Sequence, residues 1–205
     1  MRIAIFSGSF NPVHNGHLEI ARAVLKKGIA DELWFLVSPQ NPLKQDSNLL
    51  PQIDRLKMAK LAIENEEGMK VSDFEFHLPR PSFTIRTLEK LKTTWPENQF
   101  SLLIGGDNLT IIHKWIEYER IISEFGLIVY PRPGFEVQDS LNYTNIIFIN
   151  EQLINISATL IRKKLAKGES ISELVPEKVE EYLKNLSVPF KYLQSDQERD
   201  CSDKG

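Results

Sequence analysis

The sequence predicts an α/β fold: a parallel sheet with helices on both faces. Three observations carry that prediction. Short apolar runs alternate with helix-period segments along the whole chain. Two of the runs, residues 33–37 and, but for Ser101, 100–104, are near-continuously apolar rather than alternating, as strands covered on both faces are. The composition is that of an ordinary globular protein, with 41% apolar and 26% charged residues in 205, which excludes a disordered, collagen-like or coiled-coil chain.

Taken in order, residues 3–6 read as a first strand. Residues 18–27 put Leu18, Ala21, Val24 and Leu25 on one helical face. Residues 33–37 form the second strand, and 53–63 a second helix whose apolar face is Ile53, Leu56, Ala59 and Ile63. A loose alternation predicts a strand over 69–76, followed by a helix over 83–92. The strand at 100–104 ends at Gly105-Gly106. A helix is expected over 115–125, then strands at 127–130 and 146–149. A helix over 157–166 stops at Gly168, and the last helix, 176–185, starts at Pro176, a residue suited to a first turn.

A chain of this length buries roughly 70% of its extended surface and needs no disulfide or structural metal. Residues 1–193 are expected to form one domain, with 194–205 a polar tail that carries the single cysteine, Cys201, as a bystander. One cysteine excludes an internal disulfide framework and a cysteine zinc site. A net charge of −3 argues against a duplex-DNA protein. The first apolar run is too short for a signal peptide and no run reaches 18 apolar residues, so neither a membrane nor a nucleic-acid partner is expected. The expected location is the cytoplasm; the oligomeric state, a homo-oligomer included, stays open.

The most informative segment is GSFNPVHNGH, residues 8–17, between the first strand and the first helix. Ligands of parallel sheets bind beyond the strands' C-terminal ends. Gly8 and Gly16 allow close backbone approach, and the following helix points free N–H groups and the positive end of its dipole into the loop. His14 and His17 stand three residues apart. The pattern admits a turn with two surface histidines, a two-histidine metal site in want of a third ligand, or a phosphate-binding loop. Neither GxxxxGK[ST] nor GxGxxG is present.

HNGH resembles the HxGH signature of the nucleotidylyltransferase superfamily. PSFT (residues 81–84), GGDNL with WIEYE (105–109 and 115–119), RPGF (132–135) and NISATLIR (155–162) resemble, in order and spacing, the bacterial nicotinate-nucleotide adenylyltransferase family. The resemblance extends from residue 1 to about 192 and implies a Rossmann-like nucleotidylyltransferase fold. It also implies adenylyl transfer from ATP to nicotinate mononucleotide, giving nicotinate adenine dinucleotide and pyrophosphate, a step of NAD biosynthesis. Alternatives are nicotinamide mononucleotide, phosphopantetheine or a cytidylyl acceptor as substrate, and a non-catalytic nucleotide sensor on the same fold.

The attacking group in such a reaction is a phosphate oxygen that is already anionic. Catalysis is then positioning and charge stabilisation, without an enzyme nucleophile. By resemblance, His14, His17, Lys44 and Arg162 form the catalytic set, with His17 at the α-phosphate and His14 on the β/γ side. Gly8, Ser9 and Phe10 approach the nucleotide through their backbone N–H groups. Gly105 and Asp107 belong to the adenosine site, although Asp107 also reads as a simple N-cap. Ser157 and Thr159 open a helix where hydroxyls and N–H groups can bind phosphate, and Ser157 also reads as an N-cap. For the mononucleotide, Thr84 and nearby N–H groups would bind the carboxylate. Trp115 would stack on the pyridinium, a contact worth roughly 1–2 kcal/mol when desolvated, or serve as a core aromatic. Arg132 is either a further contact to the mononucleotide or a loop residue. Where family members commonly carry a histidine before the lysine, this chain has Leu43. Mg²⁺ is implied as a companion of ATP, held by phosphates and water rather than by a protein cage.

Overall fold

The computed structural model describes residues 1–39, 49–132, 145–149 and 156–186. Six strands form one sheet: β1 (Arg2–Gly8), β2 (Glu32–Val37), β3 (Met69–Ser72), β4 (Gln99–Gly105), β5 (Leu127–Tyr130) and β6 (Ile146–Phe148). Their order is β3-β2-β1-β4-β5-β6 and every pairing is parallel. The order reverses between β1 and β4. In doubly wound sheets the crevice above such a reversal is where ligands bind, and here it opens beyond Gly8 and Gly105.

Side chains alternate across the sheet, so the four central strands, β2, β1, β4 and β5, each feed two cores. Ala4, Phe6, Leu33, Phe35, Leu103, Ile128 and Tyr130 face one side. There they meet α1 (Asn15–Lys26), α2 (Gln52–Ala62), α6 (Ala158–Ala166) and α7 (Glu177–Asn185). Ile3, Ile5, Trp34, Leu36, Leu102, Ile104 and Val129 face the other, against α3 (Thr84–Thr94). Burial on both faces is why these strands are near-continuously apolar. α6 ends in a Schellman arrangement: Gly168 takes φ 69°, and the N–H groups of Gly168 and Glu169 donate to Leu165 O and Lys164 O.

The structure corrects three sequence-based expectations. The strand predicted over 69–76 stops at Ser72, whose hydroxyl accepts from Phe74 N–H at 3.1 Å; Phe74–His77 is a 3₁₀ turn that buries Glu75. The predicted helix 115–125 is broken. A short α4 (Gly106–Thr110) and a 3₁₀ turn (Ile112–Lys114) come first, and Trp115 is extended. Glu117 is left-handed at φ 53°, bound by Arg86 and Arg120. Only then follow α5 (Tyr118–Arg120) and a π-helical turn, Ile121–Phe125, closed by Gly126 at φ 78°. Finally, the buried face of α2 is Arg55, Leu56, Met58, Ala59 and Ala62, while Ile53 is 61% exposed. Among the described residues, no helix is long and apolar enough to cross a membrane.

Candidate active site

The loop from Gly8 to α1 is folded tightly over the first core. Phe10, at φ 47°, turns its ring back into the core. It packs edge-on against Phe6, Phe35 and His17 at centroid distances of 5.5, 5.4 and 5.1 Å. A side chain at Gly8 would press on that ring. Asn11 is buried, and its Oδ1 accepts from Leu50 N–H at 3.1 Å.

His14 is the residue that caps α1, and its ring stacks on His17 with centroids 3.6 Å apart and planes inclined by 26°. The backbone N–H of His14 donates to His17 Nδ1 at 3.2 Å. Since Nδ1 accepts, the neutral His17 ring carries its proton on Nε2, which leaves that N–H to donate elsewhere. His14 Nδ1 is buried without a hydrogen-bond partner among the described residues. Burial pushes the His14 pKa down to about 3, assisted by the Arg132 charge. Burial, then His14, then Arg132 hold His17 well below its ordinary range. Both imidazoles are therefore neutral at pH 7 in the free protein, and their environment is one that added negative charge would relieve.

Beyond β4, a Cβ at Gly105 would displace the Asp107 carboxylate and crowd the Tyr130 ring. Asp107 lies in the first turn of α4, with Oδ1 3.5 Å from Arg132 Nε. Arg132 Nη2 donates to Tyr130 Oη at 3.3 Å, and the guanidinium lies over the Tyr130 ring. Tyr130 in turn meets Phe6 edge-on at 5.9 Å, which closes the circle back to the histidine loop.

Ser157 caps α6, its Oγ accepting from Leu160 N–H at 3.1 Å, so its structural role is real. Arg162, one turn on, donates from Nη1 to Asn11 O at 2.9 Å and from Nη2 to Thr159 Oγ1 at 3.2 Å. The structure thus gathers Gly8, Phe10, His14, His17, Gly105, Asp107, Arg132, Thr159 and Arg162 around the sheet's C-terminal edge through a continuous set of contacts. None of the hydrogen bonds and ion pairs of Arg132 involves Thr84 or Trp115.

Thr84 and Trp115 belong to the opposite face. Thr84 is the first residue of α3, and Phe83 and Trp115 pack half-buried against the second core. The indole Nε1 of Trp115 is buried without a partner. Lys44 and Leu43 lie outside the described residues, as does the tail with Cys201.

Sequence reasoning missed two buried ionisable groups next to this crevice. Arg55 lies 1% exposed on α2. Its guanidinium donates to four backbone carbonyls, those of Ser9, Ser38, Pro39 and Leu50. The spacing of 55, 58, 59 and 62 was the available signal, with arginine in a face otherwise filled by Met and Ala. Glu75, also buried, accepts from Ser7 Oγ at 2.7 Å and is bonded to Ser38. Burial raises its pKa.

A parallel sheet with this strand order and a histidine pair at its first helix defines a class, and the class has a match. The cytidylyltransferase-like family matches residues 5–164 of the chain. The closer grouping is plain from full-length relatives. A Bacteroides fragilis (strain YCH46) protein described as a "probable nicotinate-nucleotide adenylyltransferase" is 48% identical over 170 residues, 83% of this chain and 85% of that one. A Bacteroides thetaiotaomicron protein with the same description is 44% identical over 184 residues, covering 90% and 91%. Among solved structures, the nicotinic acid mononucleotide adenylyltransferase of Plasmodium falciparum complexed with NaAD superposes with a TM-score of 0.80 over 93% of this chain and 98% of that one. Its 21% identity speaks to the fold alone. The chain belongs to the nicotinate-nucleotide adenylyltransferase family.

Proposed function

We propose that this chain transfers the adenylyl group of MgATP to nicotinate mononucleotide, forming nicotinate adenine dinucleotide and pyrophosphate in NAD synthesis. The observation that carries the reading is the stacked His14–His17 pair at the start of α1, neutral and desolvated, with the cationic Arg132 acting on both rings. Such a site suits a polyanion, and it supplies donors and positive charge rather than a nucleophile.

In the displacement, a phosphate oxygen of the mononucleotide bonds to the α-phosphorus of ATP as the bond from that phosphorus to the β-bridging oxygen breaks. The electron pair leaves with pyrophosphate. His17 donates from Nε2 to an α-phosphate oxygen, where charge is redistributed in the transition state. His14 and Arg162 take the β and γ phosphates, and Lys44 is assigned to the same anionic set. The N–H groups of Gly8, Ser9 and Phe10, with Gly105 and Asp107, approach the nucleoside. Ser157 and Thr159 add donors at the head of α6. Arg132, paired with Asp107 over Tyr130, fits better as charge for the ATP half than as a contact to the mononucleotide.

Trp115 and Thr84 receive the pyridine. Backbone donors at the start of α3 favour a carboxylate; an amide would turn its NH₂ toward N–H groups. Among the described residues no group of three or more His, Cys, Asp or Glu side chains could hold a metal, and Asp107 already faces Arg132. Mg²⁺ would be carried by the ATP phosphates and its own waters, as is usual for this ion with nucleotide substrates. Residues 1–193 are read as one such domain, working in the cytoplasm.

The test is pyrophosphate release from MgATP with nicotinate mononucleotide, nicotinamide mononucleotide or phosphopantetheine. A strong preference for nicotinate mononucleotide is expected. Equal rates with the amide would sink the donor-lined carboxylate pocket, and ATP binding without release would favour a sensor.

A further inference from the structure

Among the described residues Arg55 is the largest fully buried side chain, and none of its hydrogen bonds there goes to a carboxylate. A buried guanidinium is expensive, and apolar residues of similar volume commonly serve stability as well or better. What Arg55 holds explains its retention. Nε donates to Leu50 O at 2.9 Å, Nη2 to Pro39 O at 2.9 Å, and Nη1 to both Ser38 O at 2.7 Å and Ser9 O at 2.6 Å. These carbonyls come from three separate stretches of chain. Ser9 lies in the loop that leads to His14. Ser38 and Pro39 follow β2, and Leu50 lies just before α2. Asn11 strengthens the same junction: its Oδ1 takes Leu50 N–H, and its carbonyl takes Arg162.

We infer that Arg55 is a positioning residue for the adenylyl transfer proposed above: by gripping the carbonyls of Ser9, Ser38, Pro39 and Leu50 it fixes the histidine loop relative to the chain after β2, without touching substrate. The inference rests on that reading of the activity. A planar fork with five donors reaches four carbonyls spread around it, whereas a lysine ammonium presents three donors from one point. The burial that lowers the Arg55 pKa to about 10 still leaves it charged at neutral pH, so all five N–H groups stay available. A misplacement of about 1 Å in reacting groups can cost on the order of 10²-fold in rate. Thr84 and Trp115, on the other face of the sheet, are outside this grip.

The experiment uses the full chain carrying Arg55→Lys or Arg55→Met, assayed well below each variant's own Tm, with kcat and both KM values measured. Expected is a kcat lowered about 10–100-fold with the KM for nicotinate mononucleotide within about threefold of the wild type. A folded variant with wild-type kcat overturns the inference. So does failure of both variants to fold, which would make Arg55 a stability residue. The wild-type arm stands apart: if it releases no pyrophosphate with any acceptor, the adenylyl-transfer reading itself fails and takes the positioning role with it. Loss of kcat in the variants alone leaves that reading intact.

Discussion

His14, His17 and Arg162 on one face of the sheet, and Thr84 and Trp115 on the other, are held by different physics. The first group is tied down by directional hydrogen bonds, two of them between segments distant in sequence and one within the histidine loop itself. Arg162 reaches back 151 residues to Asn11, Arg55 joins Ser9 to the chain after β2, and His14 N–H orients the His17 ring. The second group is held by packing against the second core, and Trp115 leaves its indole N–H without a partner. The difference matches the two tasks proposed for them. Charge stabilisation at a transferring phosphorus depends on sub-ångström placement of donors, which directional bonds provide. Recognition of a flat ring needs surface area, which an aromatic held by contacts provides.

Substitutions can break that contrast, and the largest effect is expected at His17. His17→Ala should lower kcat by roughly 10²–10³-fold while circular dichroism shows an unchanged fold. Wild-type turnover in the folded variant would remove His17 from the transition state. Arg162→Lys keeps the charge but not the fork that spans Asn11 and Thr159. A drop in kcat of about tenfold or more is expected with little change in the KM for nicotinate mononucleotide. An effect confined to that KM would move Arg162 to the acceptor side. On the packed face the pattern should invert: Trp115→Ala should raise that KM about tenfold, in line with a contact of roughly 1–2 kcal/mol, and alter the KM for ATP much less. Equal changes in both would make Trp115 a core residue.

The smallest expected effect sharpens the contrast through stability. Glu75 is bonded to Ser7 and Ser38 at the ends of β1 and β2, with its pKa raised by burial. A carboxyl whose native pKa lies above its unfolded value, about 4.3, contributes stability that is present below that value and lost as pH rises through the native pKa. Glu75→Gln keeps an acceptor for Ser7 and removes the titration. Thermal melts should therefore show the variant gaining at pH 8 relative to pH 5, at about 2–4 °C per kcal/mol for a chain of this size. A gain that does not depend on pH would show that Glu75 is not titrating in the native protein.

The histidine loop was legible because its chemistry is local. Gly8, His14, Asn15 and His17 lie within ten residues, at the end of a run that could only be a buried strand. Ser157 at the head of α6 was legible as an N-cap for the same reason, since capping is written into adjacent residues. The region around Trp115 was not. Its apolar spacing suits a helix, yet the left-handed turn at Glu117 is supported by Arg86, an ion-pair partner 31 residues away, together with its neighbour Arg120. Arg55 was illegible in a deeper sense: its partners are backbone carbonyls, which every residue carries, so no residue type in the sequence marks where its bonds will go.

The sequence by itself determined the alternation of strands and helices, the parallel sheet and the tight loop that joins β1 to α1, because each follows from period, burial pattern and short-range turn chemistry. Only the tertiary structure decided that the residues proposed for the two substrates divide between two faces of one sheet, that Arg132 stands with Asp107 and Tyr130, and that two buried ionisable groups of opposite sign brace the ends of β1 and β2. Those features rest on distances between segments far apart in the chain, and such distances exist only after the sheet has set its strand order.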